Sequence, residues 1–232
     1  MTPNGFDAAS AWRQVLSGML RRDQGSRPVR RVADMGTGTG MIATLLASAG
    51  YEVIAIDFAP AMLERAREAL APWPTAQVRQ GDVTAPPLEV GEVDAIVGKN
   101  VLWTLLQPDA AIKAWAALVE PGGLIGVLDG TYHGNYRRLS AVYEVLSRLT
   151  GSKPHHATRK DNPNKEVPLA NLSSPGPVKQ MFVAAGLRDV SVCQLTELDR
   201  NLQATWSWLD RATYRPRRFA VVGTVPIAKA PT

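Results

Sequence analysis

The hydrophobic pattern of this chain changes period repeatedly between its start and about residue 130. Val32-Ala33-Asp34-Met35, Val53-Ile54-Ala55-Ile56 and Ala95-Ile96-Val97 are near-continuous apolar runs of strand length, as expected of strands covered on both faces. Between them the apolar residues recur at helical spacing. The spacing predicts an opening helix from Ala8 to Arg21, in which Ala8, Ala11, Trp12, Val15, Leu16 and Met19 share one face. A helix is predicted to start at about Met41, and another at Pro60, where proline suits the first turn. A third strand is expected over Gln77 to Val83, a fourth from Val93 into a loop and helix, and a fifth from Leu124 to Asp129 after the turn Pro121-Gly122-Gly123. Five strand–helix units in strict alternation predict an α/β, doubly wound, mostly parallel sheet with right-handed crossovers.

Past Asp129 the pattern is less regular. A helix is predicted over Asn135 to Leu149 and another over Val178 to Ala185, ended by Gly186. Gly151 to Pro177, rich in Pro, Asn, Ser and Lys, reads as a mobile loop or lid. Strands are expected over Asp189 to Leu195 and Arg218 to Val225. Together these predict one domain over residues 1–232, with the helix 8–21 and the loop 151–177 as additions on the substrate side.

Composition narrows the class. At 232 residues, 45% hydrophobic and 20% charged, the chain can bury a full core. No run approaches eighteen apolar residues, and the first residues lack a basic region followed by an apolar core, so neither a membrane span nor a secretory leader is expected. Cys193 is the one cysteine, which fits a reducing cytoplasm, and its apolar-alternating run predicts a buried strand thiol. The net charge of +5 raises the question of an anionic partner. Basic residues are scattered, however, without a stripe or interleaved aromatics, so nucleic acid is disfavoured and a small acceptor expected. His155-His156 lack a spaced set of further ligands, and no metal site is predicted.

The chemistry concentrates at the first strand's end. Asp34-Met35-Gly36-Thr37-Gly38-Thr39-Gly40 is an acid followed by three alternating glycines, which allow a left-handed turn and close approach of a ligand to the backbone. The helix that follows points its free N–H groups at the same place. Asp57 ends the second strand, where a ribose hydroxyl pair would meet a bidentate acceptor. Two cofactor classes use such an arrangement, and Gly38-Thr39-Gly40-Met41-Ile42-Ala43 satisfies the dinucleotide fingerprint as well. Asp34 weighs against a pyrophosphate, which it would repel, and suits the ammonium of a methionine moiety. The bland alternative is that it caps the following turn while the glycines pack helix on strand.

In the frame Asp34, Gly36, Gly38, Gly40, with Asp57, Gly81-Asp82 and Pro121-Gly122-Gly123 in order, residues 10 to 130 resemble class I S-adenosylmethionine-dependent methyltransferases. Within these the chain looks like the ubiquinone/menaquinone-methyltransferase-like small-molecule group. The resemblance implies a seven-stranded sheet with an antiparallel last strand and S-adenosyl-L-methionine as cofactor. It places Asp34, Gly36, Thr37, Gly38, Gly40, Asp57, Phe58, Met62, Gly81, Asp82, Val83 and Lys99 around that cofactor, Asp82 and the Val83 amide at the adenine and Lys99 mainly through its main chain. Asn100, Trp103, Tyr132 and Trp12 are candidates on the acceptor side. His133 is the candidate general base, with a pKa class suited to neutral pH, and Asp129 could hold an amine acceptor or bond its own loop. The expected reaction is direct displacement onto a nitrogen or oxygen, less readily a carbon, of a small metabolite, by a monomer or homodimer. The rivals are an NAD-type oxidoreductase, for which no Tyr-x-x-x-Lys pair is present, and an RNA-binding or RNA-modifying module that keeps the fold.

Overall fold

The computed structural model describes residues 7–21, 28–132, 167–169, 172–206 and 216–227. In chain order the elements are α1 (Ala8–Met19), β1 (Arg31–Met35), α2 (Met41–Ser48), β2 (Glu52–Asp57), α3 (Pro60–Leu70), β3 (Gln77–Gln80), β4 (Ala95–Lys99), a 3-10 turn (Leu102–Thr104), α4 (Pro108–Leu118) and β5 (Leu124–Tyr132). They continue with α5 (Gly176–Ala184), β6 (Arg188–Gln194), α6 (Thr196–Ala204) and β7 (Pro216–Thr224). The seven strands form one sheet in the order β3-β2-β1-β4-β5-β7-β6. β1 to β5 pair in parallel, whereas β7 runs antiparallel to both β5 and β6. The order reverses between β1 and β4, which opens a crevice at their carboxyl ends.

Strand alternation divides the core into two layers. Ala33, Ile54, Ile96, Ile125, Val127 and Val221 face Leu102, Ile112, Trp115, Val178 and Phe182 on one side. Val32, Val53, Val97, Leu124, Leu128 and Ala220 face Trp12, Leu16, Ile42, Leu45 and Leu46 on the other. Strands buried on both faces favour apolar residues at nearly every position, which is why β1, β2 and β4 read as near-continuous runs. Helix α1 joins the second layer through Trp12, Leu16 and Met19, and the Asp7 carboxylate caps it by accepting from the Ala9 N–H at 3.0 Å.

The structure departs from expectation at several places, and among them β3 ends at Gln80 and β5 runs on to Tyr132. No helix joins β3 to β4. Pro86-Pro87 supply no N–H groups and Gly91 is left-handed, so residues 81–94 form successive turns, braced where Glu92 accepts from Arg79 at 2.6 and 3.1 Å. Cys193 is exposed, because β6 is an edge strand whose Val190 and Val192 face inward while Cys193 alternates with them onto the open face. Helix α5 starts at Gly176, and the described end of the lid-like segment packs into the core: Val167 and Leu169 are 4% exposed. Helix α1 stops at Met19, short of Arg21. The expected helix 135–149 and most of 151–177 lie outside the described residues.

Candidate functional site

The turn after β1 fits glycine at three successive alternate positions. Gly36, Gly38 and Gly40 have φ of 68°, 56° and 83°, a region in which a side chain is strained. At Gly36 a Cβ would also meet Val101 Cγ2 at 2.8 Å, whereas at Gly38 it would meet nothing within 4 Å. The space over Gly38 is therefore open to a ligand, and only the backbone conformation selects glycine there.

Two carboxylates hold this turn from either side. Asp34 Oδ2 accepts from the Thr37 hydroxyl at 2.6 Å and from the Ala43 N–H in the first turn of α2 at 3.1 Å. Asp34 Oδ1 takes no hydrogen bond among the described residues. Burial pushes the Asp34 carboxyl up to about 6, against the pull of those two donors and of Lys99. Asp57 Oδ2 accepts from the Gly38 N–H at 2.8 Å and Oδ1 from the Ala59 N–H at 3.0 Å, so the acid at the tip of β2 sets the height of the glycine turn. Beside it Phe58 is 75% exposed and Met62 on α3 faces solvent, an apolar surface next to a polar cleft.

The β3–β4 connection closes the crevice on the far side. Gly81 fits under Pro87, whose Cδ a Cβ would strike at 2.4 Å. Asp82 Oδ1 accepts from the Thr84 N–H and hydroxyl, both at 2.8 Å, and these bonds hold its carboxyl below the usual range. The Val83 carbonyl accepts from the indole N–H of buried Trp115 at 2.7 Å, a support from α4 that no local spacing announces.

On the β4 and β5 side the strand tips carry charge. Lys99 ends β4 and its Nζ lies 5.7 Å from the centroid of the Trp12 ring. Burial lowers the Lys99 pKa, helped by Arg218 and opposed by Asp34 and Asp129. Asp129 is 3% exposed; its Oδ1 accepts from the Gly130 N–H at 2.8 Å, while its buried Oδ2 has no hydrogen-bond partner among the described residues. Burial pushes this carboxyl up to about 6 as well. Arg218 on β7 is held by Asp199 of α6 at 2.5 Å. Asn100 is left-handed at φ 54°, with its N–H donated to the Leu128 carbonyl, and Trp103 sits half-buried in the 3-10 turn.

The residues expected around the cofactor therefore come together at the tips of β1, β2, β3 and β4. Trp12 is a buried member of α1 whose ring meets Lys99 rather than open space. His133 and the side chain of Tyr132 lie outside the described residues. Sequence reading took Lys99 for its main chain and missed both its side-chain contact and the Trp115 support, since each joins elements distant in the chain.

Residues 33–127 match the family described as a methyltransferase domain. That match, the sheet order and the glycine turn agree in making residues 33–127, less than half of the chain, similar to a methyltransferase domain. Among curated proteins, an uncharacterized methyltransferase of Mycobacterium tuberculosis (strain ATCC 25618 / H37Rv) is 33% identical over 119 residues, covering 51% of this chain and 47% of that protein. The demethylmenaquinone methyltransferase of Renibacterium salmoninarum is 29% identical over 178 residues, covering 76% and 65%. The chain thus spans about half the length of the first of these relatives. Among solved structures, phosphoethanolamine N-methyltransferase 2 of Haemonchus contortus, in complex with phosphomonomethylethanolamine and S-adenosylhomocysteine, superposes with a TM-score of 0.60 at 16% identity. That superposition covers 93% of this chain and 53% of that one, and it speaks for the fold alone. Among the described residues no helix is long and apolar enough to cross a membrane.

Proposed function

We propose that the chain transfers a methyl group from S-adenosylmethionine to a nitrogen or oxygen of a small molecule. The observation that carries the reading is the place of Asp34. Its carboxylate already satisfies the Ala43 N–H at the start of α2, where a dinucleotide fold would present that donor to a pyrophosphate. A diphosphate in that position would face a buried acid, whereas a methionine ammonium would find Asp34 Oδ1 with no hydrogen bond. This supports the methyltransferase reading over an NAD-type oxidoreductase.

The described residues fit the cofactor along its length. The Gly38 backbone leaves room beside the turn, Asp57 keeps lone pairs for ribose hydroxyls, and Phe58 and Met62 offer apolar faces to adenine. Asp82 Oδ2 is the acceptor left for the adenine amino group, and the Val83 N–H sits on a peptide whose carbonyl is pinned by Trp115. The chemistry supplied by such a cofactor is an electrophilic methyl on a sulfonium. The protein's part is to align a nucleophile with that methyl and to keep water out.

On the acceptor side, Asp129 Oδ2 is a buried acceptor without a donor, and an N–H or O–H of the substrate would satisfy it. An amine or hydroxyl carries such a donor on the very atom to be methylated, which favours nitrogen and oxygen. Once ionised, Asp129 orients that donor and polarises it. His133, a few residues beyond on the same chain segment, takes the proton as general base in this reading, with Asn100 and Trp103 lining the acceptor space. The acceptor is a small molecule in this reading, and nucleic acid is disfavoured by the scattered basic residues.

The test is calorimetry with S-adenosylhomocysteine and NAD, followed by a methyl-transfer screen over small amines, phenols and carbon acids with wild type, Asp129→Asn and His133→Asn. Binding of S-adenosylhomocysteine but not NAD, with transfer to an amine or hydroxyl that both variants slow, is expected. Binding of NAD alone sinks the cofactor assignment, and unchanged turnover in the variants sinks the assigned roles.

A further inference from the structure

Among the described residues the ion pairs join Arg13 to Asp7, Arg31 to Glu52, Arg79 to Glu92 and Arg218 to Asp199. Lys99 is in none of them, although it is partly buried at the tip of β4. Its ammonium makes no hydrogen bond among the described residues and lies over the face of Trp12, 5.7 Å from the ring centroid. A cation–π contact compensates only part of the hydration that an ammonium gives up, and it leaves the hydrogens aimed elsewhere without acceptors.

The register shows where that ammonium stands. Asp34 pairs with Val97, and Lys99 follows Val97 by two residues on the same strand, so Asp34 and Lys99 project from the same face of the sheet. Lys99 is one pleat repeat nearer the crevice. Their mutual attraction shows in both groups: Lys99 lowers the Asp34 pKa, and Asp34 raises that of Lys99. An acid with one oxygen left over and an ammonium without a hydrogen bond among the described residues thus project from one face of the sheet at the crevice floor. Opposite charges in that order are complementary to an α-amino acid, whose ammonium and carboxylate are separated by a single carbon. Arg218 is already paired: Asp199 accepts from its guanidinium and from its main-chain N–H. Trp12 has a part as well, since the Lys99 ammonium lies over its ring face.

We propose that the Lys99 side chain, seated over Trp12 at the tip of β4, binds the α-carboxylate of the methionine part of the cofactor, with Asp34 Oδ1 taking the ammonium. This rests on the cofactor reading above and deepens it by assigning an amino-acid clamp to the pair. The clamp explains why a cation is kept in a partly buried position between Asp34 and Asp129 without a direct ion pair. It also makes the site read both ends of the amino acid as well as the nucleoside.

The experiment compares S-adenosylmethionine with decarboxylated S-adenosylmethionine, which lacks only the carboxylate, by calorimetry without acceptor. The full chain is used as wild type, Lys99→Met and Lys99→Arg. Wild type should bind the carboxylated ligand about tenfold to a hundredfold more tightly, the range for a charge-assisted hydrogen bond. Lys99→Met should lose that preference while holding the decarboxylated ligand within about twofold, and Lys99→Arg should retain most of it. A wild type that binds both ligands equally overturns the proposal without recourse to any variant. So does a Lys99→Met protein that weakens both ligands alike, or that keeps the wild-type preference. A wild type that binds neither ligand defeats the cofactor reading itself, a result distinct from equal binding of both.

Discussion

Replacing Asp129 by Asn removes one buried ionisable group and keeps its shape. In the wild type, burial raises the carboxyl from 3.8 to about 6, so the folded state binds a proton more tightly than the unfolded chain. The sign follows from proton counting: between those two values the native state holds more protons, and stability falls as pH rises. Above pH 6 the folded protein carries an ionised acid that burial disfavours. Integrated from pH 4.5 to pH 8, the loss is about 2 kcal/mol. The Asn variant has no such loss, although it pays a pH-independent cost for amide hydrogens that lack acceptors. Asp34 titrates in both proteins and cancels. The difference in melting temperature, variant minus wild type, should therefore move in favour of the variant by about 4 to 8 °C between pH 4.5 and pH 8. Differential scanning calorimetry in two buffers of matched ionic strength measures it. Parallel pH curves would refute the claim that Asp129 is ionised at a desolvated position without a hydrogen bond at Oδ2.

Four further outcomes are expected. Gly38→Ala should cost about 1 kcal/mol in folding from its left-handed backbone, since no neighbour crowds the new methyl, yet weaken S-adenosylhomocysteine at least tenfold because the methyl projects into ligand space; unaltered affinity in calorimetry would contradict this. Trp115→Phe should destabilise by about 1 to 3 kcal/mol by leaving the Val83 carbonyl buried without its donor, read by urea denaturation, and an unchanged midpoint would remove the assigned support. Asp199→Ala should destabilise by about 3 kcal/mol, as it abandons the Arg218 guanidinium and N–H together, with wild-type melting as the contrary result. For an acceptor that needs ionised Asp129, kcat/KM at saturating cofactor should rise with pH through about 6 in the wild type, and Asp129→Asn should lower it and leave only the limb set by His133.

How much of this was legible in the chain differs by element, for physical reasons. β1, β2 and β4 were readable because strands buried on both faces are apolar at most positions, the buried acids Asp34 and Asp57 at their crevice ends being the exceptions. The β3–β4 connection was misread because alternation of strands and helices was extended across Pro86-Pro87, whose missing donors forbid the helix. At β6 the apolar-polar period was visible, but period alone does not tell which face is covered; Val190 and Val192 took the inner one and turned Cys193 outward. The glycine turn and its two acids were local, so Asp34 and Asp57 could be found from spacing. Lys99 over Trp12 and Trp115 under Val83 could not, since each is a contact between elements far apart in sequence that only the sheet order brings together.

The most direct measurement of the central claim is a calorimetric titration of the wild-type chain with S-adenosylhomocysteine, repeated with NAD under the same conditions. The account predicts one-to-one binding of S-adenosylhomocysteine, abolished by Asp57→Ala, and no heat with NAD beyond dilution. Binding of NAD with none of S-adenosylhomocysteine would contradict it.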